Sequence, residues 1–154
     1  MNQSLNKTPS LSRQLAAILY DLFLLLAIIL AAVSVVTVGI DLFTSQGFST
    51  QLLEQQPWKF IYQTYLFIVG AGFYIFFWVR GGQTLGMKVW KMQLVSFDGQ
   101  TPDWSQALLR LILALVFNSA FGIGLLSRLF NADDLTIYDR LSATRLVHKD
   151  HIEE

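Results

Sequence analysis

The chain has 154 residues, enough for one domain, and is 53% hydrophobic with only 14% charged residues. Its formal net charge is zero, which gives no global field for nucleic acid. It has no cysteine, which excludes disulfides, thiolate metal sites and a Cys nucleophile, and its two histidines lie within the last seven residues, which argues against a His-rich metal centre.

A polar arm covers residues 1–12, followed by an apolar run that predicts a first span from Gln14 to Ile40. A signal peptide's apolar region is only about 7–15 residues long, so this run reads as a retained membrane helix. It exceeds the ~20 residues needed to cross, which implies tilt or an interfacial first turn. From Leu22 to Val38 its only polar side chains are Ser34 and Thr37, and both can bond back to helix carbonyls. Asp21 is the exception inside the run and calls for a partner. Arg13 is eight residues away, about 12 Å along the axis and about 80° around it, so the two do not stack. Arg13 reads instead as a snorkelling residue for lipid phosphates or the C-terminal tail.

A polar loop at 41–57 leads to a second span from Trp58 to Val79. Trp58 and Trp78 are twenty residues apart, roughly 30 Å along a helix, and match the two interfaces of a bilayer. Gly70 and Gly72 read as close helix contacts. Residues 80–103 start glycine-rich, with Gly82 and Gly86 spaced as in small-residue dimer motifs, although the adjacent Arg80 and Lys88 argue against burial in lipid. "KMQLV" then alternates with a period of two, and Asp98-Gly99 signals a turn.

A third apolar stretch, Trp104 to Phe130, is capped at its start by Asp103 or Ser105 and broken at "FGIG", residues 121–124. Basic residues before the first span, in the 80–103 loop and in the tail place the N-terminus, that loop and the tail on the cytoplasmic side. This favours a re-entrant or interfacial helical hairpin for the third stretch over a third full span. Arg110 then lies roughly 9 Å into its helix, at the depth of Asp21, and the two are expected to pair. The tail carries a strand signal at "TRLVH", a partner for "KMQLV". Asp133 and Asp134 read as a solvated turn.

"SRQLAAILYD", "GGQTLGMKV", "ALLR" and "YDRLSATRLV", in this order and spacing, resemble the RDD family of small bacterial membrane proteins. The likeness covers about residues 10–148. It implies that Arg13, Asp21 and Asp139 are the arginine and two aspartates of the family's name, and that Gly82, Gln83, Thr84, Leu85 and Gly86 form its loop motif. Tyr138 stands where the family's tail commonly has histidine, and Met87 where it is often basic.

The expected fold is an all-α membrane protein with two transmembrane helices, a third apolar segment and short cytoplasmic strands. A single membrane domain covers 13–148, and a polar tail covers 149–154. The expected location is the bacterial cytoplasmic (inner) membrane. Two functions follow. One is transport, implied by the resemblance as cation–proton exchange, with Asp21 binding the ion, Thr64, Tyr65 or Asn118 assisting, and a homo-oligomer enclosing the path. The other is a non-enzymatic module for membrane interaction or assembly. No catalytic residue, metal, cofactor or nucleic-acid partner is expected. Asp139 reads as a turn cap or a partner of Arg13 or Arg80.

Overall fold

A computed structural model describes residues 8–44, 47–119, 125, 127 and 134–148. The expected break at 121–124, Arg128, Asp133, and the polar tail at 149–154 lie outside the described residues. The described elements run α1 (Leu11–Phe43), α2 (Phe48–Glu54), α3 (Trp58–Gly81), α4 (Leu85–Val89), β1 (Met92–Ser96), α5 (Trp104–Ser119), α6 (Ile137–Leu141) and β2 (Thr144–His148). Two helices, α1 and α3, are long and apolar enough to cross a membrane. At 33 residues α1 rises about 50 Å, well beyond the ~30 Å hydrocarbon core. By contrast α5, at 16 residues, rises only about 24 Å.

The chain forms two compact units. One is Leu22–Phe73. Its α1 segment shows side chains such as Phe23, Leu26, Leu30 and Val35 to the surroundings, as a helix in lipid does. Ser34 Oγ donates to Leu30 O at 2.8 Å and Thr37 Oγ1 to Val33 O at 3.0 Å, so the polar groups of the span are internally satisfied as expected. At its end Asp41 holds the start of α2, accepting from Ser49 N at 3.0 Å and Ser49 Oγ at 3.1 Å. The glycines do less than their spacing suggests. A methyl group on Gly70 would make ordinary contact with Leu25 and Ile29, and one on Gly72 would meet nothing.

The other unit comprises residues up to Asp21 and from Tyr74 onward. Its centre is the antiparallel pair of β1 and β2, in the register Met92↔His148, Leu94↔Leu146 and Ser96↔Thr144. Met92, Leu94, Val95, Leu146 and Val147 are buried there with Ala107 of α5 and Tyr138 of α6. Since β1 precedes α5 and β2 follows the third apolar stretch, the ladder holds the two flanks of that stretch side by side. The segments "KMQLV" and "TRLVH" therefore do supply the predicted strand pair. Asp103, not Ser105, caps α5. Its Oδ1 accepts from Gln106 N and Ser105 Oγ, both at 2.7 Å, while Gln106 Oε1 accepts from Asp103 N at 3.2 Å.

Candidate functional site: a cavity between α1, α3, α5 and α6

The site starts on the first turns of α1. Gln14, Ala17 and Asp21 recur every three to four residues and form one buried stripe, whereas Leu15, Leu19, Tyr20 and Leu22 around them are exposed. Asp21 is 3% exposed. Its Oδ2 accepts from Thr84 Oγ1 at 2.5 Å and its Oδ1 from Gly86 N at 2.8 Å.

That contact explains the loop motif residue by residue. Gly82 adopts φ +66°, and its carbonyl receives Leu94 N at 2.7 Å. A side chain there would run into the Leu94 carbonyl and Gln93. Gln83 Nε2 donates to Met92 O at 2.7 Å, a strand carbonyl. Thr84 is the N-cap of α4: its hydroxyl accepts from Met87 N at 3.2 Å and gives its one proton to Asp21. Gly86 lies so close to Ala17 O and the Asp21 carboxylate that no Cβ fits. Gly86 thus serves docking onto α1 and Gly82 docking onto β1, both within the chain. Leu85 is exposed and makes none of these contacts.

Arg110 is 3% exposed, and it does not pair with Asp21. Its Nη1 donates to Asp139 Oδ1 at 2.6 Å and Thr144 Oγ1 at 2.7 Å. The expected Asp21–Arg110 pair is therefore corrected: Thr84 and Gly86 satisfy the first residue, and Asp139 the second. Matching depth along two helices is no guide to pairing when a cap and a loop supply closer donors and acceptors. Asp139 caps α6, as one reading allowed. Its Oδ2 accepts from Thr136 N at 2.8 Å and its own N–H donates to Thr136 Oγ1 at 3.1 Å, a reciprocal capping box. Its cationic partner is Arg110, in place of Arg13 or Arg80. Ser142 Oγ donates to Tyr138 O at 2.6 Å, so Thr144 must donate to Ser142 across their 2.7 Å contact. The network Arg110→Thr144→Ser142→Tyr138 O has a fixed direction.

Arg13 reaches His148 of β2, realising the tail contact anticipated for it. A guanidinium only donates, so His148 Nε2 accepts. Trp58 is 47% exposed, as an interfacial anchor would be, but Trp78 is 6% exposed. The Arg110 guanidinium lies over its ring at 5.7 Å and over that of Tyr138 at 5.0 Å. Trp78 is thus a wall residue, not a lipid anchor.

These side chains line a partly open cavity of about 490 Å³. Gln14, Ala17, Asp21, Tyr74, Trp78 and Arg110 are among its walls, and Asn118, Leu115, Met87 and Tyr138 complete much of the rest. Of the three residues expected to assist Asp21, Asn118 lines the cavity. Thr64 bonds back to Phe60 O at 2.9 Å, and Tyr65 is not among the lining residues. Sequence reasoning missed Gln14, Tyr74 and Trp78, although the polar–small–polar repeat of Gln14, Ala17 and Asp21 is a readable signal. Among the described residues, no group of three His, Cys, Asp or Glu side chains is placed to hold a metal ion.

Comparison with curated proteins and with solved structures gave no match. A family model does match, over residues 8–143, and that range contains every motif of the cavity and its loop except the last strand residues. The chain is a membrane protein with apolar spanning helices and belongs to the RDD family.

Proposed function

We propose that this chain is a non-enzymatic, multi-pass protein of the bacterial cytoplasmic (inner) membrane that exchanges a cation for protons as a homo-oligomer, with Asp21 as the ion-binding carboxylate. One observation carries the reading. Asp21 is buried in a cavity wall and, among the described residues, its bonds come from neutral donors, while Asp139 takes up the charge of Arg110. A carboxylate not paired with a fixed cation remains able to bind a mobile one. Two spans enclose little by themselves, hence the oligomer.

The orientation has its own support. Among the described residues, every Lys and Arg except Lys59 falls in the unit that contains Asp21. The positive-inside bias makes that unit cytoplasmic, and the N-terminus with it. The β1–β2 ladder and the short α5 favour entry and return of the third stretch over a single crossing.

The test is ion-driven pH change in inverted membrane vesicles, wild type against Asp21→Asn. Loss in the variant supports exchange, and equal activity in both sinks it. A second reading, an assembly or interaction module, draws on the docking of α4 by Asp21, since a carboxylate used as a latch needs no ion. Crosslinking in membranes that recovers lipid and no partner protein counts against it.

A further inference from the structure

We infer that the ion taken by the Asp21 cavity is an amphipathic amine, a singly charged ammonium head on an apolar body. The inference rests on the reading of Asp21 as a cation-binding carboxylate and names the class of cation.

Charge is the first ground. With Asp21 ionised, the described lining carries one carboxylate, Asp21, and one guanidinium, Arg110, and Arg110 is itself paired with a second carboxylate, Asp139. One positive charge balances them.

Acceptor supply is the second. A carboxylate offers about four lone-pair sites, and Thr84 and Gly86 occupy two at Asp21. Gln14, on the same stripe of α1, supplies another. Its Nε2 donates to Pro9 O at 3.3 Å, and a carbonyl cannot donate back, so the amide orientation is fixed. Gln14 Oε1 is left buried with no partner, on a residue 5% exposed. A buried acceptor without a donor is costly, and an ammonium N–H would relieve it. The Trp78 indole N–H is also buried and unpartnered, a place for an oxygen on the same ligand.

The rest of the wall supplies the third ground. A hard metal cation collects about six oxygens. Besides Asp21 and Gln14, Asn118 offers an amide whose Oδ1 already accepts from Leu125 N at 3.0 Å, Ser119 a hydroxyl whose proton goes to Val116 O at 2.7 Å, and Tyr74 and Tyr138 phenols, which are not among the usual ligands of a hard cation. Ile18, Leu111, Ala114, Leu115, Met87 and Leu146 make most of the remaining surface apolar. An alkyl or aryl body fits those walls, whereas a hydrated metal ion does not.

Titration calorimetry on the full-length protein in detergent tests this, with heptylamine, 1-heptanol and sodium chloride as the probes. Heptylamine is expected to bind at one site, heptanol roughly tenfold or more weakly, and sodium chloride not to displace the amine at matched ionic strength. Asp21→Asn should weaken heptylamine roughly tenfold and leave heptanol unchanged. Gln14→Leu, which leaves the bonds of Asp21 to α4 in place, should weaken the amine several-fold. Equal binding of amine and alcohol, or wild-type amine affinity in both variants, overturns the inference. Vesicle exchange of sodium without heptylamine binding also overturns it while sparing the exchange reading. Amine binding without any ion-driven pH change upholds it and removes exchange.

Discussion

At the residue scale, the tightest constraint is at Gly86. An added methyl there would come within 2.8 Å of Asp21 Oδ1 and also meet the Ala17 carbonyl, which belongs to helix backbone and cannot yield. Gly86→Ala is therefore expected to lower stability by about 1–3 kcal/mol, read as a depressed melting midpoint in detergent. Gly72→Ala, with open space around it, should melt like wild type. The Arg110–Asp139 pair gives a second expectation. Removing either charge strands the other, buried, at a cost of about 3–5 kcal/mol. Arg110→Met with Asp139→Leu together should cost much less than the sum, a coupling that a double-mutant cycle measures. If each single variant melts like wild type, the pair is not buried as described. These residues also show how far the sequence could be read. That Asp21, Arg110 and Asp139 were structurally demanding followed from charge in an apolar run. Who pairs with whom did not, because the partners of Asp21 come from α4 and that of Arg110 from α6, two five-residue helices whose cap geometry decides where Thr84, Gly86 and Asp139 point.

At the element scale, local chemistry sets the starts of α5 and α6. The Gln106 N–H, and then the Ser105 hydroxyl, hold the Asp103 carboxyl below the usual carboxylate range. A carboxyl whose folded value is lowered stabilises fully above its unfolded value, near 3.9, and loses that stabilisation as pH falls through the lowered value. Wild type should therefore lead Asp103→Asn in melting midpoint above about pH 4 by a margin that shrinks on acidification. A margin independent of pH would show that the charge of Asp103 does not support α5. The β1–β2 register is open to a sharper check, because the chain has no cysteine of its own. Gln93→Cys with Val147→Cys, directly opposite, should form a disulfide. Gln93→Cys with His148→Cys should not, since a one-residue shift turns the side chain to the other face. The first strand was legible from its alternation, the second as a short strand signal in the charged tail, and the Asp103 cap from its place before an apolar run. The α6 capping box was half legible. Asp139 was read as a cap, but Thr136, three residues earlier, was not recognised, because a five-residue helix leaves no periodic run to mark its start.

At the scale of the whole molecule, the length of α1 bears on where Asp21 sits in a bilayer. From Leu22 to Phe43 the helix rises about 33 Å, enough to cross the hydrocarbon core without its first turns. The turns that carry Arg13, Gln14 and Asp21 are then surplus to crossing. Asp21 is then expected at one mouth of the span, beside the 80–103 loop that bonds to it, and in the proposed orientation that mouth is the cytoplasmic one. The sequence left tilt and an interfacial first turn both open, and the second of these puts Asp21 near the mouth. The mouth position makes a definite claim about sidedness. Thr44, at the far end of α1, should face outward, whereas Asp98, beside β1, and Leu141, beside β2, should both face the cytoplasm. All three are exposed, Leu141 at 55%, so a cysteine at each can be reached by a reagent. A membrane-impermeant maleimide on spheroplasts should label Thr44→Cys directly, and Asp98→Cys and Leu141→Cys only after the membrane is opened. Labelling of Leu141→Cys with Asp98→Cys still protected would mean a third full crossing. The strands could not then pair across some 30 Å of hydrocarbon, and the cavity built on their ladder would go with them. Labelling of both from outside would leave the ladder intact and reverse the orientation, so the two failures are separable by the same experiment.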